Sequence, residues 1–103
     1  MSDFVKLATI GEIKPGGLKT VDFGEEKVLL ANVKGTIHAV SDACTHADFS
    51  LGGSGDLEDD HVICGFHGSE FSVVTGEVIE DPADQPLKVY QVRVEGEDIY
   101  VGP

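Results

Sequence analysis

Hydrophobic residues recur along this chain in short runs that alternate with polar ones, and glycine or proline interrupts each run before a helical period can build up. The pattern predicts strands at Phe4 to Ile10, Leu18 to Phe23, Lys27 to Val33, Thr36 to Val40, His61 to Ile63, Glu70 to Val74, Val78 to Glu80, Lys88 to Glu95 and Ile99 to Val101. It predicts an all-β protein, a small sandwich or barrel built mostly of local hairpins. Turns are marked by Pro15-Gly16-Gly17, Gly24-Glu25-Glu26, Lys34-Gly35, Thr75-Gly76 and Glu95-Gly96-Glu97-Asp98. In the last hairpin Tyr90, Val92 and Val94 alternate against Gln91 and Arg93. Two stretches break the pattern. Ser41 to Asp60 is small, acidic and without a strand period, long enough to suggest a functional loop, and Asp81 to Pro86 is an acidic loop bracketed by prolines.

Composition narrows the possibilities. A chain of 103 residues predicts one domain, 1–103, and 41% apolar content supports a modest core in spite of a net charge of −12. Nineteen acidic residues against six Lys and one Arg argue against binding nucleic acid or an anionic membrane, both of which need clustered basic side chains. No apolar run approaches the length of a membrane span, and the N-terminus shows neither a secretory nor a twin-arginine pattern, so the expectation is a soluble, cytoplasmic protein. In that reducing compartment two cysteines are ligands, nucleophiles or buried thiols in preference to a disulfide framework.

Both cysteines stand beside histidines. Cys44-Thr45-His46 is C-x-H, Cys64-Gly65-Phe66-His67 is C-x2-H, and 17 residues separate the pairs. Unrelated thiols with chance histidines, or a Cys44–Cys64 disulfide, are the bland readings. Two such pairs in a chain otherwise lacking cysteine favour a joint site. Two thiolates and two imidazoles can hold a tetrahedral zinc, or a 2Fe-2S cluster with two histidines on one iron. Zinc fingers keep like ligands together, whereas here each segment supplies one of each kind, which suits a two-iron cluster gripped from opposite sides. His38 and His61 lack a paired cysteine and are not expected to be ligands. Gly52-Gly53-Ser54-Gly55 has no strand-to-helix context for a phosphate loop.

With Cys44-Thr45-His46, Cys64-Gly65-Phe66-His67-Gly68-Ser69, Phe71, Thr75-Gly76 and the loop around Pro82 and Pro86, the sequence resembles the Rieske family over essentially its whole length. The resemblance implies three antiparallel sheets, a cluster-binding subdomain formed by two loops at about 42–69, and a proline loop at about 81–86. It implies one [2Fe-2S] cluster, with Cys44 and Cys64 on the inner iron and His46 and His67 on the outer. High-potential relatives carry a disulfide between the cluster loops at positions occupied here by Phe49 and Phe66. The expectation is that the two rings pack together instead, at about 2 to 3 kcal/mol per buried aromatic. The family's serine donor to a bridging sulfide is kept as Ser69, while its tyrosine donor to a cysteine sulfur is Phe71, which implies a potential in the lower part of the Rieske range. Gly65 and Gly68 are read as glycines that let backbone approach the sulfides. The implied role is a one-electron carrier, not an enzyme, between an NAD(P)H-dependent flavin reductase and a terminal aromatic-ring oxygenase. Asp56, Glu58, Asp59, Asp60, Glu77, Glu80, Asp81 and Asp84 are read as a guide toward basic partner faces, or as solvated charge. A redox sensor, a nitrite reductase small subunit and a structural zinc module are the alternatives.

Overall fold

The computed structural model describes residues 4–42, 55–63, 70–80 and 86–102. They form ten strands: β1 Val5–Thr9, β2 Leu18–Phe23, β3 Glu26–Val33, β4 Thr36–Ser41, β5 Asp56–Glu58, β6 His61–Ile63, β7 Glu70–Ser72, β8 Val78–Glu80, β9 Val89–Glu95 and β10 Asp98–Gly102. All pairings are antiparallel. β1-β10-β9 and β2-β3-β4 are joined into one six-stranded sheet where Ala39 and Val40 of β4 meet Tyr90 and Val89 of β9. β5-β6-β7-β8 make a separate four-stranded sheet.

The continuous run Val28-Leu29-Leu30-Ala31 shows why β3 lies at the centre. A strand buried on both faces has no reason to alternate apolar with polar residues. Val28 and Leu30 join Ala8, Ile13, Ile37, Ala39, Tyr90, Ile99 and Val101 in one core, while Leu29 and Ala31 join Val40, Val62, Phe71, Val73 and Leu87 in the other. β3 and β4 are thus a shared wall, and the second core fastens the four-stranded sheet to it.

Element ends follow local hydrogen bonding. The strand expected to run to Ile10 stops at Thr9, whose N–H donates to the Glu12 carboxylate at 2.7 Å and starts a 3-10 turn, Ile10–Glu12. The strand expected to reach Val74 stops at Ser72, whose hydroxyl accepts from the N–H groups of Val74 and Thr75, both at 3.2 Å. Within the stretch read as strand-free, Asp56–Glu58 forms β5; its Leu57 pairs with Val62 and packs against the second core. The acids Asp56, Glu58 and Glu80 therefore lie on strands, not in loops. Lys34 and Gly35, both at positive φ (52° and 95°), make the two-residue β3–β4 turn whose twist suits a hairpin.

Candidate functional site

The register of the four-stranded sheet organises the site. Asp56 pairs with Ile63, Ile63 with Glu70, and Glu70 with Glu80, so one row of residues crosses all four strands at the same end of the sheet. Segment 43–54 leads into that row just before Asp56, segment 64–69 joins Ile63 to Glu70 within it, and segment 81–85 leaves it after Glu80. Segments 43–54, 64–69 and 81–85 thus each have an end at this row, and the first segment has its other end at β4 of the six-stranded sheet.

Each root is fastened. At the first, the N–H of Ser41 donates to the Lys88 carbonyl at 2.8 Å and the N–H of Asp42 to the Lys27 carbonyl at 3.0 Å, extending the ladders by a step. The Asp42 side chain is buried, and its Oδ1 accepts from the Thr20 hydroxyl at 2.9 Å. At the second root, His61 Nδ1 lies 2.8 Å from Glu70 Oε2 while its Nε2 lies 3.3 Å from Asp60, so the imidazole ties β6 to β7 below segment 64–69. At the third, the Gly76 carbonyl accepts from the Leu87 N–H at 2.8 Å, holding the residues that follow the proline loop against the β7–β8 turn. Gly76 has φ +78°, and a Cβ there would lie 2.3 Å from the Leu87 carbonyl oxygen. Close approach is the reason for glycine at this position.

Beside the first root, Tyr90 donates from its hydroxyl to Glu26 at 2.7 Å, Lys88 reaches the same carboxylate at 3.2 Å, and the Lys88 ammonium stands 4.8 Å from the Tyr90 ring centroid. Burial, then the hydrogen bond from Tyr90 to Glu26, pushes the phenol well above its ordinary pKa, and the same bond holds Glu26 below the usual carboxylate range.

Of the residues singled out from sequence, Cys44, His46, Phe49, Cys64, Gly65, Phe66, His67, Gly68 and Ser69 lie outside the described residues, as do Asp81, Pro82 and Asp84. Phe71 is described and is fully buried in the second core. His38 sits within β4, and His61 is engaged by the Asp60 and Glu70 carboxylates. Among the described residues no group of histidines, cysteines and carboxylates could hold a metal ion. A donor set of two thiols and two imidazoles, on segments 43–54 and 64–69 that both reach the row, fits an iron-sulfur cluster.

Sequence reasoning missed Asp42 and Thr20, which meet across 22 positions, and it missed a division of charge that the two sheets expose. Eleven of the nineteen acidic residues lie between Gly35 and Leu87, where there is no Lys or Arg; the other eight share the flanking stretches with all seven basic residues. In those stretches Lys6 meets Asp98, Lys19 meets Glu12, Lys27 meets Asp22, Lys88 meets Glu26 and Arg93 meets Glu95. The absence of cations over that span was legible in the chain.

Comparison with known proteins agrees with this geometry. The Rieske [2Fe-2S] domain matches residues 3–91. The chain is 41% identical over 98 residues to the biphenyl dioxygenase ferredoxin subunit of Pseudomonas sp. (strain KKS102), covering 95% of this chain and 90% of that one. It is similar to the solved ferredoxin of carbazole 1,9a-dioxygenase from Nocardioides aromaticivorans IC177, with TM-score 0.93, 30% identity and 99% of each chain covered. A further match, at TM-score 0.91 and 31% identity over 99% of this chain and 94% of that one, comes from a complex of reduced oxygenase and oxidized ferredoxin in carbazole 1,9a-dioxygenase.

Proposed function

Because this chain belongs to the Rieske [2Fe-2S] domain family, we propose that it carries single electrons from an NAD(P)H-dependent flavin reductase to a terminal oxygenase acting on aromatic rings. The supporting observation is the shared row: segments 43–54, 64–69 and 81–85 each have an end at one side of the four-stranded sheet, with the first motif at the other end of its segment, directly after β4. Cys44 and Cys64 would hold one iron, His46 and His67 the other. When bound, such a cluster supplies reversible one-electron chemistry at about −150 to +300 mV. The chain is a carrier and not itself a catalyst, and it works as one domain in the cytoplasm, where reduced thiols are maintained. No helix among the described residues is long and apolar enough to cross a membrane.

The chain's own residues set how the electron is delivered. The six-stranded sheet supports the site, and on or beside its strands Lys6, Lys19, Lys27, Lys88 and Arg93 are each paired with a carboxylate. The span from Gly35 to Leu87 carries eleven acids and no Lys or Arg, and Asp56, Glu58, Asp59 and Glu77 within it are exposed. A field of one sign favours encounter with basic faces on both partners, raising on-rate most at low ionic strength. The oxygenase partner is supported by the matched ferredoxin–oxygenase complex; the reductase follows from the electrons having to come from a soluble donor.

Iron, sulfide and zinc analysis with visible and EPR spectra of the purified protein tests the reading. Two irons and two sulfides per chain, with an average g below that of an all-cysteine cluster, are expected. Colourless protein holding one zinc would overturn it.

A further inference from the structure

The geometry points to Asp42 as the positioning residue of the first cluster segment, with Thr20 as its anchor; this rests on the reading of Cys44 and His46 as ligands. Asp42 is 2% exposed, although a carboxylate is among the most expensive groups to bury. A site that only needed filling would be served as well by an apolar residue of similar volume. What the carboxylate does here is directional. Its backbone N–H donates to the Lys27 carbonyl of β3 at 3.0 Å, and its Oδ1 accepts from the Thr20 hydroxyl of β2 at 2.9 Å. β2, β3 and β4 are successive strands of the sheet, so Asp42 leaves the end of β4 and is fixed to both of the strands beyond it. Ala43 is the single residue between Asp42 and Cys44.

Two consequences follow for the cluster. First, adjacent Cα atoms stand about 3.8 Å apart, so the Cα of Cys44 lies within about 7.6 Å of that of Asp42 whatever path the chain takes. The direction in which Asp42 sends the chain therefore governs where the first thiolate can stand. Second, a negative charge held this close and shielded from water opposes the negative charge gained on reduction, and does so more strongly than an exposed acid at the same distance. Asp42 thus both aims the ligand and lowers the potential.

The two parts separate experimentally in the holoprotein. Asp42→Asn keeps the size of the side chain and an oxygen that can accept from Thr20, but removes the charge. Protein-film voltammetry should show a rise in midpoint potential corresponding to about a tenfold change in the reduced-to-oxidised ratio, or about 59 mV for one electron. Thr20→Val keeps the charge and removes the hydroxyl anchor. It should release its cluster to an iron chelator severalfold faster than the parent, with a smaller change in potential. An Asp42→Asn potential equal to the parent's, or parental cluster release from Thr20→Val, would overturn the assignment. The Asp42→Asn arm stands if Thr20→Val fails to fold. Cys44→Ser distinguishes this failure from failure of the underlying reading: a full cluster in that variant would remove the ligand assignment itself, whereas its loss beside an unmoved Asp42→Asn potential removes only the role of Asp42.

Discussion

Gly76→Ala is the substitution whose outcome the structure specifies most closely. The added Cβ would stand 2.3 Å from the Leu87 carbonyl oxygen, 3.0 Å from Val89 Cγ2 and 3.2 Å from the Leu87 carbonyl carbon. Relief requires moving the Leu87 peptide by about an ångström, yet that peptide is held on both sides. Its N–H donates to the Gly76 carbonyl at 2.8 Å, and the neighbouring Lys88 carbonyl accepts from Ser41 at 2.8 Å. Overpacking contributes about 1 to 3 kcal/mol, a side chain at φ +78° about 1 to 2, and loss of one hydrogen bond about 1. A total of about 3 to 6 kcal/mol is a large share of the 5 to 15 kcal/mol typical of a domain, and lowers the melting temperature by more than about 12 °C. Gly24→Ala is the control, since Gly24 also has positive φ (65°) but a Cβ there meets nothing within 4 Å. Circular dichroism melts of the holoproteins should place Gly76→Ala far below Gly24→Ala. Because Ser41 stands three residues before Cys44, visible absorbance of Gly76→Ala should also bleach before the backbone unfolds. Equal melting of the two variants would refute the steric argument, and simultaneous bleaching and unfolding would refute the link from Gly76 to the first root.

Tyr90 should ionise late. Its folded pKa is raised above the unfolded value of about 10, so the stability it lends is complete below pH 10 and is lost as pH climbs toward the folded value; absorbance titration at 295 nm, compared with Tyr90→Phe, should show its phenolate only well above pH 10. Phe71→Tyr should raise the reduction potential by restoring the sulfur donor the family resemblance implies. Lower stability by about 1 to 3 kcal/mol with unchanged potential would mean instead that the hydroxyl is stranded among Leu29, Val40, Val62 and Leu87. The triple substitution Asp56→Asn, Glu58→Gln, Asp59→Asn should slow association with the oxygenase several-fold in stopped flow at low salt and converge with the parent at high salt; equal rates at low salt would count against steering.

Much of the frame could be read from the chain because period and punctuation report local geometry. β2, β6 and β8 run between the expected residues, and the doubly buried β3 was announced by Val28 to Ala31. β5 could not be read, since Asp56-Leu57-Glu58 has poor strand formers at both ends and becomes a strand by pairing with β6. The reason for glycine at position 76 was likewise hidden, because the turn explains its φ but the obstacle is Leu87, eleven residues on. The Cys/His motifs were legible as spacing. The supports beneath them were not, because Thr20 with Asp42 and Tyr90 with Glu26 are side-chain bonds across 22 and 64 positions, and no local pattern records such partners. A signal for Asp42 was present only as a carboxylate among small residues just before Cys44.

The acidic span poses a question that the fold answers. On the proposed reading, the cluster that accepts an electron is held by residues of a stretch with eleven acids and no Lys or Arg, and each of those charges opposes reduction. The opposition depends on where each charge is solvated. An exposed carboxylate acting through water at about 15 Å contributes only about 0.3 kcal/mol, further screened beyond a Debye length of about 8 Å at physiological salt. Asp56, Glu58, Asp59 and Glu77 are of that kind, so they weigh little on the potential while their summed field still reaches an approaching partner. Asp42 is the opposite case, a buried acid two residues before Cys44, hidden from a partner and, on the proposed reading, close to the cluster. Burial therefore divides one kind of side chain between two tasks: exposed acids govern encounter, and the buried one governs the electron's energy.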